Sequence, residues 1–276
     1  MLVGVMLSLF GMRVSAQEID MPQPSDSVAD VQPSSTDSHF AWYAQAELDA
    51  NYLWRGLYCG GLSFQAEAEV SYYGFYLNTW LNVGTTNWWT DRNAAGKPVT
   101  GLNPEIDLAI GYRWRGLMVQ FMHMYFFDRY SDGRMSRYFD FQNHGPGEGG
   151  VSTEWRVAYR ISDKVPLRLM WCTRTFGRDG YYQGGELKRA YSTYIEARYD
   201  QPLPYDITLS GVIGLTPWRS LYTGYEKKFA VVNLSVEVRK SWQVAKGCAV
   251  DIGGVFVFNP SSMTPLWNVR AGVCWN

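Results

Sequence analysis

From Phe40 to the C-terminus, the hydrophobic positions of this chain recur with a period of two. The last ten residues show the pattern most clearly. Trp267, Val269, Ala271, Val273 and Trp275 fall on one face of an extended segment, and Asn268, Arg270, Gly272, Cys274 and Asn276 on the other. Successive side chains of a strand point to opposite faces, so this segment is a strand with an apolar side and a polar side. The same alternation predicts strands near 40–53, 62–72, 75–83, 104–114, 117–127, 152–161, 167–174, 191–199, 205–214, 230–240, 248–258 and 267–275, without one convincing helix. The result is about twelve strands, an even number, as bacterial transmembrane barrels have.

The links between these strands sort by parity. Tyr73-Gly74, Arg115-Gly116, Ser162 to Pro166, Asp200 to Pro204 and Ser241 to Gly247 are short, whereas 84–103, 128–151, 175–190 and 215–229 are long and rich in Gly, Asn and Asp. Short periplasmic turns alternating with long extracellular loops are the habit of outer-membrane barrels. A soluble β-sandwich has no reason to sort its links this way. Aromatics gather at strand ends as two girdles would. Trp42, Tyr72, Tyr112, Trp114, Tyr199, Tyr205, Trp242 and Trp275 belong to one rim, and Tyr52, Trp54, Tyr125, Trp171, Tyr191 and Trp267 to the other. The expected fold is all-β: a transmembrane antiparallel up-and-down β-barrel with both termini periplasmic. Its C-terminal strand, Trp267, Val269, Ala271, Val273 and Trp275, would be the segment offered to the outer-membrane barrel assembly machinery, and its outer face would meet outer-membrane lipid.

Composition narrows the partners. With 25 Lys and Arg against 26 Asp and Glu the formal net charge is -1, and no basic block exists to neutralise phosphates, so nucleic acid is not an expected partner. Residues 1–16 carry an apolar run, Leu2 to Phe10, ending in Val14-Ser15-Ala16, which suits a signal peptide of an exported protein. Residues 17–38, rich in Pro, Ser and Asp, are expected to be a disordered periplasmic leader, and 39–276 the barrel. No other stretch approaches the roughly 18 apolar residues of a spanning helix. The four cysteines, Cys59, Cys172, Cys248 and Cys274, are too scattered for a disulfide scaffold or a metal-ligand pair, although a Cys59 to Cys172 link between outer loops stays open. His39, His123 and His144 have no ligand spacing, so neither metal nor cofactor is expected.

At Asn51-Tyr52-Leu53-Trp54-Arg55-Gly56, followed by Gln65 and then Gly74-Phe75-Tyr76-Leu77-Asn78-Thr79-Trp80-Leu81-Asn82-Val83, the chain resembles the TorF family of porins. The resemblance covers about residues 50–83. It implies an outer-membrane β-barrel passing small solutes, with no catalytic residues to carry over.

If the apolar phase faces lipid, the opposite phase lines the interior. Glu47, Asp49, Glu67, Glu69, Glu105 and Asp107 then form an acidic wall, and Arg156, Arg160, Arg168, Arg174, Arg198, Arg239 and Arg270 a basic one, with Glu154, Glu196, Glu237 and Asp251 interspersed. Opposed charge across a narrow aperture would orient polar solutes and disfavour apolar ones. Tyr43, Tyr76, Trp80, Met118, Met122 and Tyr194 share the inward phase and would narrow the bore. The expected function is therefore a Gram-negative outer-membrane porin for transport of small polar solutes by passive diffusion, not an enzyme.

Two alternatives accompany it. In one, the charges pair across a closed lumen and the long loops bind a partner. In the other, the barrel modifies lipid. The second would draw on His123 near the outer end of its strand, with Ser131, Ser136, Asn143 and His144 following, but no nucleophile context such as G-x-S-x-G is present. Trp88-Trp89-Thr90-Asp91-Arg92 and Gly177-Arg178-Asp179-Gly180-Tyr181-Tyr182 are expected to be girdle and turn residues, and 144–150 a flexible glycine-rich loop.

Overall fold

The structure, a computed structural model, describes residues 39–86, 100–128, 133–162 and 164–276. The expected signal peptide and leader, the Trp88 to Arg92 segment and Ser131 lie outside the described residues. Twelve strands close into one antiparallel barrel: β1 (Phe40–Asp49), β4 (Ser63–Tyr72), β5 (Phe75–Thr86), β6 (Thr100–Trp114), β7 (Leu117–Phe126), β8 (Val151–Arg160), β9 (Leu167–Gly177), β12 (Thr193–Leu203), β13 (Ile207–Thr216), β14 (Ala230–Ala245), β15 (Cys248–Asn259) and β16 (Thr264–Trp275). Two short hairpins stand apart from the wall, β2 (Tyr52–Trp54) with β3 (Leu57–Gly60), and β10 (Gly180–Gln183) with β11 (Glu186–Arg189). Among the described residues the one helical piece is a 3-10 turn, η1 (Leu221–Thr223).

Each barrel strand pairs with its neighbour in the chain, and β1 pairs with β16 from Ala44 opposite Trp275 to Asp49 opposite Arg270. Closure leaves no row of unpaired backbone groups, the condition for a sheet in hydrocarbon. The tight turns come from a repeated local choice. In Tyr73-Gly74 and Arg115-Gly116 both residues have positive φ, 49° and 84°, then 47° and 82°. Such turns twist with the flanking strands and favour glycine at the second position.

Burial alternates along much of the wall. In β5, Phe75 and Leu77 are exposed while Tyr76, Asn78 and Trp80 are buried, and in β16 Trp267 and Val269 are exposed while Asn268 and Arg270 are buried. The apolar residues thus coat the outside of the barrel and most charged residues fill the inside, the reverse of a soluble protein. The rim aromatics Trp42, Tyr72, Tyr112, Trp114, Tyr199, Tyr205, Trp242 and Trp275 are all exposed, as are Trp171, Tyr191 and Trp267 toward the other end.

Three expected girdle residues are elsewhere. β1 ends at Asp49 rather than continuing to residue 53, and Tyr52 and Trp54 are buried inside the barrel on the β2–β3 hairpin. Tyr125 keeps its outward phase but is covered by the loop after β7, whose Tyr138 ring packs 5.0 Å from it. The long links otherwise fall on one end, and the chain enters β1 and leaves β16 at the opposite, short-turn end. The link between β15 and β16, residues 260–263, is short despite lying on the long-loop end.

Candidate functional site

The interior is built by the inward phase of the twelve strands and by the hairpin that enters it. The structure places Glu47, Asp49, Glu67, Glu69, Glu105 and Asp107 in buried positions on β1, β4 and β6. Arg156, Arg168, Arg174, Arg198 and Arg270 are likewise buried on β8, β9, β12 and β16, while Arg160 and Arg239 are partly exposed. In the strand order, β1, β4, β5 and β6 are contiguous, and β7, β8, β9 and β12 to β16 close the remaining arc. Register also sets Arg168 between Arg160 on β8 and Arg198 on β12, a row of three guanidinium-bearing positions across neighbouring strands.

Few of these charges face an empty bore. On the basic arc, Arg168 reaches Glu196 at 3.3 Å, Arg198 reaches Asp200 at 2.7 Å and Glu237 at 3.2 Å, and Arg270 is paired with Glu237 and, at 3.8 Å, with Glu47. On the acidic arc the partners are mostly neutral. Glu67 accepts from Tyr43 at 2.5 Å and Asn78 at 2.7 Å, Glu105 accepts from Tyr52 at 3.2 Å, and Asp49 accepts from Asn268. Besides Glu47, Glu69 also has a cationic partner, held by both terminal nitrogens of Arg113 at 2.5 and 2.8 Å. Ionised groups buried in a low dielectric need such partners, since leaving one unpaired costs several kcal/mol, roughly 3–5 when one member of a pair is removed.

Arg55, at the tip of the hairpin, is buried in the interior against the wall. Its guanidinium donates to both oxygens of Glu154, at 2.6 and 2.8 Å, to Tyr222 Oη at 2.7 Å and to Cys172 Sγ at 3.2 Å. It also lies 4.7 Å from the Trp54 ring centroid and 5.1 Å from that of Tyr194, within the range of cation–π attraction. Glu154 takes a further bond from Arg156 Nε at 2.7 Å. Around this centre sits an apolar and aromatic cluster that includes Tyr52, Tyr76, Trp80, Met118 and Met170. Beside it, a cavity of about 100 Å³ is lined by Asp49, Arg168, Arg198, Asn233, Arg270 and the hairpin's own Tyr52, Leu53 and Arg55.

Alternation does not mark Arg55 or Tyr222, whereas it does put Arg113 in the inward phase. The turn signal for Arg55 was nevertheless present: Arg55-Gly56, with φ of 49° and 83°, has the same geometry as Tyr73-Gly74 and Arg115-Gly116. An X-Gly pair within a run of alternating residues therefore identified a reversal that the continuing alternation of 40–53 concealed. Arg113 shares the inward phase of Glu105 and Asp107 and follows them on β6. Tyr222 lies in a loop, where no strand period applies.

Among the described residues considered for lipid chemistry, none is arranged as a nucleophile and base. His123 Nε2 lies 3.0 Å from the Tyr138 carbonyl, and its ring is flanked by Tyr138 and Phe141. Ser136 Oγ donates to the Phe126 carbonyl, and His144 pairs with Asp140 at 2.9 Å. In the long links Tyr181 spends one face on Tyr225, with centroids 6.0 Å apart, whereas Tyr182 is exposed. The four cysteines are free thiols. Among the described residues no group of three His, Cys, Asp or Glu side chains is disposed to hold a metal ion.

No protein-family model and no curated protein matches this chain. Among solved structures it is similar to the KdgM porin in complex with disordered oligogalacturonate, at 9% identity over 85% of this chain and 98% of that one, with a TM-score of 0.42. It is similar to an outer membrane channel from Pseudomonas putida F1, at 10% identity over 89% and 99% of the two chains, with a TM-score of 0.45. It is also similar to the NanC porin, at 10% identity over 86% and 100%, with a TM-score of 0.43. Likenesses this distant assign no function. The location follows from the chain's own architecture: a closed, even-stranded antiparallel barrel with an apolar exterior and aromatic rims is an outer-membrane β-barrel of the Gram-negative type.

Proposed function

We propose that this barrel is a channel for passive diffusion of small polar solutes, selected by the charges of its interior. One observation carries the reading: a closed barrel of twelve strands buries Glu47, Asp49, Glu67, Glu69, Glu105 and Asp107 on one arc and gathers most of its buried arginines on the other, interspersed with Glu154, Glu196, Glu237 and Asp251, where an apolar filling would carry no charge. The acidic arc holds its carboxylates largely with neutral donors, while the facing arc and the hairpin supply the guanidinium groups. Such an asymmetry orients dipolar solutes and makes an apolar one pay for displacing water from charged walls. The resemblance of residues 50–83 to the TorF porins supports the same reading. In this arrangement the short turns and both termini face the periplasm, the long loops face outward, the apolar exterior meets outer-membrane lipid, and the assembly machinery receives the C-terminal strand. No catalytic step is part of this function.

The test is ion selectivity in planar bilayers. Replacing Arg168, Arg198 and Arg270 with Ala should shift the channel toward cations and change the passage of charged relative to neutral sugars. Selectivity unchanged from the parent refutes the charged selector. A second reading, a closed barrel acting through its loops, is favoured by the β2–β3 hairpin lying across the interior. A parent chain and a hairpin-deleted chain that both fail to conduct would establish it.

A further inference from the structure

The link between β1 and β4 is not a surface loop. From its root, where Asn51 binds Asn268 Oδ1 and the Trp267 carbonyl at 3.0 Å each, the chain enters the barrel and sets its tip against β8 on one side and β14 and β15 on the other. There Arg55 grips Glu154 on β8, and the Gly56 carbonyl accepts from Asn259 Nδ2 at 3.0 Å. Gly56 presses on β14 so closely that a Cβ would stand 1.9 Å from the Val232 carbonyl oxygen. Around the closed barrel β8 stands five strands from β1 and β14 three strands from it on the other side, so the hairpin tip bridges two separate stretches of the wall.

We propose that the β2–β3 hairpin is a gate, seated closed by the Arg55–Glu154 pair and opened by withdrawal of its tip. This rests on the channel reading above and gives it a regulated bore. The seat has the chemistry of a releasable contact. When Arg55 leaves, Glu154 keeps the Arg156 guanidinium at 2.7 Å, so no carboxylate is stranded in the interior, and Arg55 regains water. A permanent plug would need no partner left behind to satisfy its seat. The polar cavity also ends against the hairpin, lined by Tyr52, Leu53 and Arg55, so withdrawal of this one element would extend the charged interior.

Single-channel recording of the full chain refolded into lipid tests the gate, with heat-modifiable gel mobility confirming that each variant has closed its barrel. The parent should show small or rare openings. Arg55→Ala, Glu154→Gln and replacement of 52–60 by a Gly-Ser linker should each raise open probability or conductance several-fold, and Arg55→Lys, which keeps the charge but loses the paired bonds, should fall between. If the linker variant conducts more than the parent while Arg55→Ala and Glu154→Gln match it, the latch is wrong and the channel stands. A parent that already conducts like the linker variant overturns the gate. Where the linker variant stays silent, the channel reading falls and the gate falls with it.

Discussion

Gly56 shows how one residue type fixes the position of a larger piece. Its φ of 83° is one an L side chain rarely adopts, and its Cα approaches the Val232 backbone where no Cβ fits. Gly133 has a similar φ of 82° but open space around it. Gly56→Ala should therefore cost more than the ~1–2 kcal/mol of left-handed backbone strain that Gly133→Ala incurs. Denaturant unfolding of the detergent-folded chain measures both, and equal costs would show that the hairpin tip moves freely out of its seat. Arg55 beside it was visible in the sequence as half of a turn pair. Its partner was not, because Glu154 lies 99 positions away and only closure of the barrel brings the two together.

At the scale of elements, the link between β9 and β12 is held by polar side chains rather than by an apolar core. Asp179, in the turn between β9 and β10, accepts from Ser192 N at 2.7 Å and Ser192 Oγ at 2.5 Å, which ties this loop to the start of β12. Burial pushes the Asp179 carboxyl above its ordinary value, against the opposing pull of Arg174 and the Ser192 bonds. A raised carboxyl pKa stabilises the folded form most below the ordinary carboxylate range, around pH 4, and that increment is lost as pH rises through the raised value. The difference in unfolding midpoint between the parent and Asp179→Asn should accordingly shift in favour of the Asn variant as pH rises from about 4 to about 8. A difference that stays flat contradicts the assignment. The loop after β7 follows a different rule: Tyr138 lies over His123 and Tyr125 on the outside of the wall, a contact that strand periodicity does not encode.

The whole molecule is organised by which face of the wall meets hydrocarbon. Val236 is exposed near the middle of β14, and the next residue, Glu237, is buried with Arg198 and Arg270. A one-residue change of phase thus separates two solvents. Val236→Arg should lower the stability of the barrel in lipid by about 2–4 kcal/mol, the cost of a cation on the lipid face near the bilayer midplane. Arg198→Ala should instead alter ion selectivity while the barrel still folds. Equilibrium unfolding in lipid vesicles measures the first, and a cost near zero would place β14 outside the membrane.

All twelve wall strands and most of the rim aromatics were readable from residue order alone, because the pleat alternates side chains between two faces and each tight turn needs its own residue types. Tertiary structure decided what that phase means. The arginines and carboxylates meet as particular pairs only once β1 closes on β16, and the hairpin turns inward only because an interior exists with Glu154, Tyr222 and Asn259 waiting across it. Periodicity is a local property of the backbone, whereas the occupant of the lumen is set by contacts between residues far apart in the chain.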